Sequence, residues 1–228
     1  MLLYDTMPSK YFYQPSWVMV VIVLSLMLIG YLYSAFNSRF NTFIKAVFLS
    51  RYSVQASREE RSLSHPVSLL LSLNFILTAS LFILQLLSSR TFFHSGIEYT
   101  LLAFFRIAIT LLSIYFVKIV FLRILAHIFY QQEIISEYIF TIFLVTQFLG
   151  VVLIPVIIFI AYGSAAFTSA ALVAGMILFA GALFLRVGKG LLSVFEGRTT
   201  SLFYIILYLC TLEILPLLIG VKLFEKLA

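Results

Sequence analysis

Apolar residues along this chain run in long unbroken stretches rather than in short alternations. Six such runs stand out, at about residues 15–36, 67–89, 99–122, 138–162, 167–185 and 202–223. At about 1.5 Å per helical residue, some 20 residues cross a hydrocarbon core of about 30 Å, so each run matches a bilayer. No water reaches the bilayer interior, so backbone groups must pair within each segment, and the runs are expected to be helices. Membrane β-strands would alternate polar and apolar positions over roughly ten residues, and these runs do not. The expected fold is all-α: a polytopic membrane bundle of six transmembrane helices, forming one integral membrane domain over residues 1–228.

The longest polar connection, residues 37–66, divides in two. Its first half, NSRFNTFIKAVFLSR, sets Phe40, Phe43, Ile44, Val47 and Phe48 at helical spacing opposite Arg39, Asn41, Thr42 and Lys45. That pattern predicts an interfacial amphipathic helix over about 38–50, apolar side down and basic side toward headgroups. The second half is polar and ends at His65-Pro66, a boundary before the next helix. At the other end of the bundle, Tyr162 to Phe167 (YGSAAF) reads as a tight turn. The third run is punctuated by Lys118, Arg123 and His127, so its helix is expected to continue past the membrane.

Composition sharpens this picture. The chain is 63% hydrophobic and 11% charged, against about 25% charged in a soluble domain. The net charge of +6 gathers at the borders of the apolar runs, which marks orientation rather than a nucleic-acid footprint. With six crossings, ten basic residues fall on one side: Arg39, Lys45, Arg51, Arg58, Arg61, Lys118, Arg123, Arg186, Lys189 and Arg198. Four, Lys10, Arg90, Lys222 and Lys226, fall on the other. Lysine and arginine hold loops in the cytoplasm, so the richer side is expected there and both termini outside. Glu59, Glu60, Glu133, Glu137 and Glu196 share the cytoplasmic face and can balance part of its charge.

A few polar residues interrupt the runs. Glu213 is the only charged residue between Leu202 and Val221, and Pro216 follows three places on. Arg106 lies about seven residues, or ~10 Å, inside the start of the third run, and Glu213 about ten residues, or ~15 Å, from the end of the sixth. The two are at compatible depths for an ion pair, which would relieve the cost of a lone charge in lipid. Pro216 cannot donate to the carbonyl of Leu212, which leaves that oxygen open to Arg106, water or an ion. Asn74, Thr78, Gln85 and Ser89 share one face of the second run, Arg106 shares a face with Ala103, Thr110 and Ser113 on the third, and Gln147 adds to the polar set from the fourth. An inward polar seam is expected, serving as glue between helices or as a hydrated path. On the fifth run Ala166, Ala170 and Ala174, flanked by Ala171 and Gly175, suit close helix packing.

Several motifs are excluded. Gly188-Lys189-Gly190 lacks the hydroxyl residue and the spacing of a phosphate loop. Arg58-Glu59-Glu60-Arg61 resembles the paired glutamates of intramembrane CaaX-type proteases, without the further Arg and His residues that chemistry needs. There is no HExxH and no Gly-x-Ser-x-Gly. His65, His94 and His127 are far apart along the chain, and the single cysteine, Cys210, rules out an internal disulfide. No metal, cofactor or nucleic-acid partner is expected.

Three stretches, FLSRYSVQASREERSL (48–63), SEYIFTIFLVTQFLGVVLIP (136–155) and YIILYLCTLEILPLL (204–218), resemble the bacterial membrane family catalogued as domain of unknown function 4271. The resemblance runs from about residue 37 to the C terminus and is most specific at Cys-Thr-Leu-Glu-Ile-Leu-Pro, 210–216. It implies a multi-pass protein of the bacterial inner membrane, where the charge asymmetry would leave both termini periplasmic. It supplies no activity, and singles out Arg51, Glu59, Glu60, Glu137, Glu213 and Pro216 as motif positions.

The function expected is that of a non-enzymatic membrane scaffold or assembly partner. Its basic cytoplasmic face would meet anionic lipid, a membrane-protein partner or a second copy. The alternative is a small transporter or channel in which Glu213 handles a proton or cation. A third class, an enzyme acting on lipid, would use Glu133 or Glu137 as its base.

Overall fold

Five of the apolar runs form helices: Ser16–Ala35 (α1), Pro66–Ser88 (α2), Leu101–Ile128 (α3), Gln132–Tyr162 (α4) and Ala165–Glu196 (α5). They come from a computed structural model that describes residues 15–35, 66–89, 99–128 and 132–196. The expected interfacial helix at 38–50 and the sixth run at 202–223 lie outside the described residues. So do Arg51, Arg58, Glu59, Glu60, Arg61, Glu213 and Pro216. All five described helices are long and apolar enough to cross a membrane.

Local chemistry sets the helix ends. Pro66 opens α2 at the position where a missing N–H costs nothing. Thr100 caps α3: its hydroxyl accepts from the amide of Ala103 at 3.4 Å, and its carbonyl accepts from Phe104 at 3.2 Å. Gly163 closes α4 by donating to the Phe159 carbonyl at 2.9 Å. A Cβ on Gly163 would fall 2.3 Å from that oxygen, so the two-residue turn at Gly163-Ser164 has no room for a side chain there. The turn expected in YGSAAF is thus present. The helices also outrun their apolar spans at one end of the bundle. Their spans end or begin at Phe121, Ile142 and Arg186, while α3 continues to Ile128, α4 starts at Gln132 and α5 continues to Glu196. For α5 the apolar span ends at Arg186, beside the boundary near 185 expected from the sequence, and the helix itself continues through Gly188-Lys189-Gly190.

The bundle is built around α2 and α4. In each, 56% of the residues in the span are buried, against 28% in α1, 17% in α3 and 11% in α5. Leu32, near the end of α1, shares a small core with Val67 and Leu71 at the start of α2, so those two helices are antiparallel. α2 and α4 run parallel, since Ser68 meets Gln147 and Gln85 meets Ile157. Their backbones come unusually close: a Cβ on Gly150 would fall 2.7 Å from the Cα of Phe75. Gly175 of α5 makes a notch for the Phe82 ring, whose Cε2 would be 2.2 Å from an added Cβ, and Phe82 stacks on Phe179 at 6.2 Å. At the end of the bundle opposite the charged extensions, Trp17 stacks on Tyr99 at 5.6 Å and tilts against Phe104 at 5.6 Å, while Phe159, Tyr162 and Phe167 are exposed. Aromatic side chains of this amphipathic kind gather where hydrocarbon meets headgroups.

Candidate functional site

Polar side chains enter the bundle at four levels. Nearest the start of α2, Gln147 of α4 reaches across. Its Nε2 lies 2.9 Å from the Ser68 carbonyl, 2.9 Å from the Ser68 hydroxyl and 3.0 Å from the Ser72 hydroxyl. Ser68 and Ser72 are one turn apart, so one side of α2 offers both to a single amide. The Ser72 hydroxyl in turn donates to the Ser68 carbonyl at 2.8 Å.

The second level joins three helices. Tyr115 of α3 shares a short hydroxyl–hydroxyl hydrogen bond with Thr146 of α4, and the Thr146 hydroxyl lies within hydrogen-bond range of the carbonyls of Ile142 (2.7 Å) and Phe143 (3.0 Å). The Tyr115 ring packs edge-on against Phe143 at 5.6 Å and against Phe75 at 6.1 Å. The guanidinium of Arg186 from α5 lies against the Tyr115 hydroxyl. Arg186 is only 8% exposed and Lys118, one turn along α3 from Tyr115, is 9% exposed. Two cations are thus held within the bundle rather than on its surface. Arg186 stands at the charged end expected from the sequence, and there its side chain is turned into the bundle. Glu133, Glu137 and Lys189 stand on the helical extensions of α4 and α5.

Asn74 marks a nearby level on α2. It is fully buried, and neither its amide nitrogen nor its amide oxygen has a hydrogen-bond partner. Ser25 of α1 is also buried with its hydroxyl unpartnered. Leu32 packs at Val67 and Leu71, so two turns back along α1 and two turns forward along α2 bring Ser25 and Asn74 to the same depth. Thr78, one turn on, bonds its own helix at the Asn74 and Phe75 carbonyls (2.9 and 3.2 Å).

At the aromatic end, Gln85 donates to the Ile157 carbonyl over a long 3.5 Å, and Ser89 bonds the Leu86 carbonyl at 2.7 Å. Tyr99 lies beside Gln85 and Tyr162, and burial pushes its phenol up to about 12.

The four polar residues that share a face of α2 are therefore all buried, and Gln147 joins Asn74's helix at a different level. Arg106 is elsewhere. It and Ser113 are exposed on the outer side of α3, while the inward polar residue of that helix is Tyr115. Ala170 and Ala174 also face outward; the small residues that allow close packing are Ala171 and Gly175 beside them. Sequence reasoning missed Ser25, Ser68, Ser72, Tyr115 and Thr146. The pairs Ser68/Ser72 and Tyr115/Lys118, each about one turn apart, carried the available signal.

Chemically, the interior offers amides, hydroxyls and two cations, which can bond helices together or hold water and anionic groups. Among the described residues no group of three or more His, Cys, Asp or Glu is placed to hold a metal. The family model described as Domain of unknown function (DUF4271) matches residues 18–224. No curated protein and no solved structure matches the chain.

Proposed function

The chain belongs to the DUF4271 family, and from that premise we propose a six-span protein of the bacterial inner membrane that acts as a non-enzymatic scaffold or assembly partner. The sixth span is the 202–223 run, and the end of the bundle carrying Lys118, Arg123, Arg186 and Lys189 faces the cytoplasm, as lysine and arginine placement favours. One observation carries the scaffold reading. The polar side chains that reach between helices join them directly: Gln147 to Ser68 and Ser72, Tyr115 to Thr146 and Arg186, Gln85 to Ile157. Buried groups used in this way fix which helices meet and in what register. The helical extensions of α3, α4 and α5 then present charge to anionic lipid, to a membrane-protein partner or to a second copy.

A second reading, a transporter or channel for a proton or small solute, draws on Asn74. An amide buried among helices without a partner can serve a passing solute or water as well as a structural bond. In that reading Glu213 is the titrating group.

Reconstituted vesicles separate the two. A scaffold is expected to show no proton or cation flux, and Glu213→Gln is expected to lower its stability without creating a transport defect. A flux through the wild type that Glu213→Gln abolishes in a stably folded protein would overturn the scaffold reading.

A further inference from the structure

We propose that the outward face of α3 is the seat of the 202–223 run, with Glu213 facing Arg106. The inference rests on the six-crossing part of the reading above and is independent of the scaffold role. Within the described spans, Arg106 is the one charged residue that is exposed. A guanidinium turned to acyl chains is costly, and intramembrane charges are found paired or facing a bundle interior. Something must cover this one.

The surface around it has the shape of a helix seam. Leu102, Arg106, Ile109, Ser113 and Phe116 are all exposed and follow one another at spacings of four, three, four and three. That is the heptad stripe along which two helices pack side by side. The 202–223 run carries a matching stripe: Phe203, Ile206, Cys210, Glu213 and Leu217 recur at three, four, three and four. Its single acid is on it.

Chain direction selects the pairing. α3 and α5 are separated by two reversals and run parallel, so a run returning after α5 crosses antiparallel to α3. Setting Glu213 against Arg106 in that sense places Cys210 beside Ile109, Ile206 beside Ser113, Leu217 beside Leu102 and Phe203 beside Phe116. Apolar residues meet apolar or small ones along the whole seam, and the two charges meet each other. The outward face of α5, nearer in sequence, exposes Phe167, Ile177 and Phe184, and within the span Phe167–Arg186 no cation is exposed.

Cys210 is the only cysteine, which makes the seam directly testable in the full-length protein in native membranes. Ile109→Cys is combined with a protease site at Gly197, the thiols are oxidised with copper phenanthroline, and the chain is cut. The fragments are expected to stay joined until reduced. With Ile177→Cys on α5 in place of Ile109→Cys they are expected to separate. Fragments that separate with Ile109→Cys, that stay joined with Ile177→Cys, or that appear at twice the mass of the chain would overturn the seat on α3. As a second measurement, Arg106→Glu is expected to lower the amount of protein in the membrane, and Glu213→Arg added to it to restore that amount. Failure to restore it also overturns the pairing. If a reporter at Ala228 still falls on the same side as the N terminus, only the seat is wrong and the six crossings stand.

Discussion

At the scale of single residues, Asn74 is the sharpest anomaly. A buried amide with no partner carries the full cost of desolvation, whereas replacing it with an apolar group of similar size removes that cost. Asn74→Leu is therefore expected to leave the protein as stable as the wild type or more stable by about 1–2 kcal/mol, measured by thermal unfolding in detergent. Gln147 gives the contrast, since its amide bridges Ser68 and Ser72: Gln147→Leu is expected to destabilise by about 1–2 kcal/mol, in the range seen for hydrogen bonds between membrane helices. A loss at Asn74 as large as that at Gln147 would show that Asn74 holds something of value, a water or a passing solute, and would move the balance toward transport.

At the scale of elements, α5 is the least buried helix, and its attachment depends on a few points. Phe82 enters the notch at Gly175 and stacks on Phe179, and Arg186 reaches Tyr115 across α4. Phe82→Ala is expected to cost about 3–5 kcal/mol, as for other buried phenylalanines. Gly175→Val, which drives a side chain into the ring, is expected to cost about 1–3 kcal/mol alone and much less in the Phe82→Ala background. A double-mutant cycle of unfolding energies measures that coupling; additive losses would mean that the notch does not hold α5. This level also shows what the sequence could and could not convey. The helices themselves were legible, because a bilayer demands about 20 apolar residues per crossing and few other structures do. The burial of Asn74, Thr78, Gln85 and Ser89 was legible from their shared face. Which helix each face meets was not. In lipid both sides of a helix are apolar, so hydrophobicity no longer separates inside from outside, and the sequence alone does not show that Tyr115 is the α3 side chain that meets α4. Arg186 shows the same limit: it closes an apolar run, where the sequence does not separate a cation held in the bundle from one on its surface, and the structure buries it.

At the scale of the whole molecule, the basic residues of the described helices, Arg106 apart, gather at one end. That asymmetry orients the protein if lysine and arginine resist translocation. Ser164, in the α4–α5 turn, and His127, on the extension of α3, are both exposed and lie at opposite ends. In a Cys210→Ser background, Ser164→Cys is expected to react with a membrane-impermeant maleimide in cells with a permeabilised outer membrane. His127→Cys is expected to react only once the inner membrane is broken. The reverse pattern would invert the molecule. It would place Arg123 and Arg186 on the side where arginine is disfavoured and remove the argument for a cytoplasmic lipid-facing surface, while leaving the packing of α2 on α4 untouched. The two outcomes therefore bear on different claims. How the helices pack follows from Gly150, Gln147 and Phe82 whichever way the bundle points, and what it meets in the cell depends on the end that carries the charge.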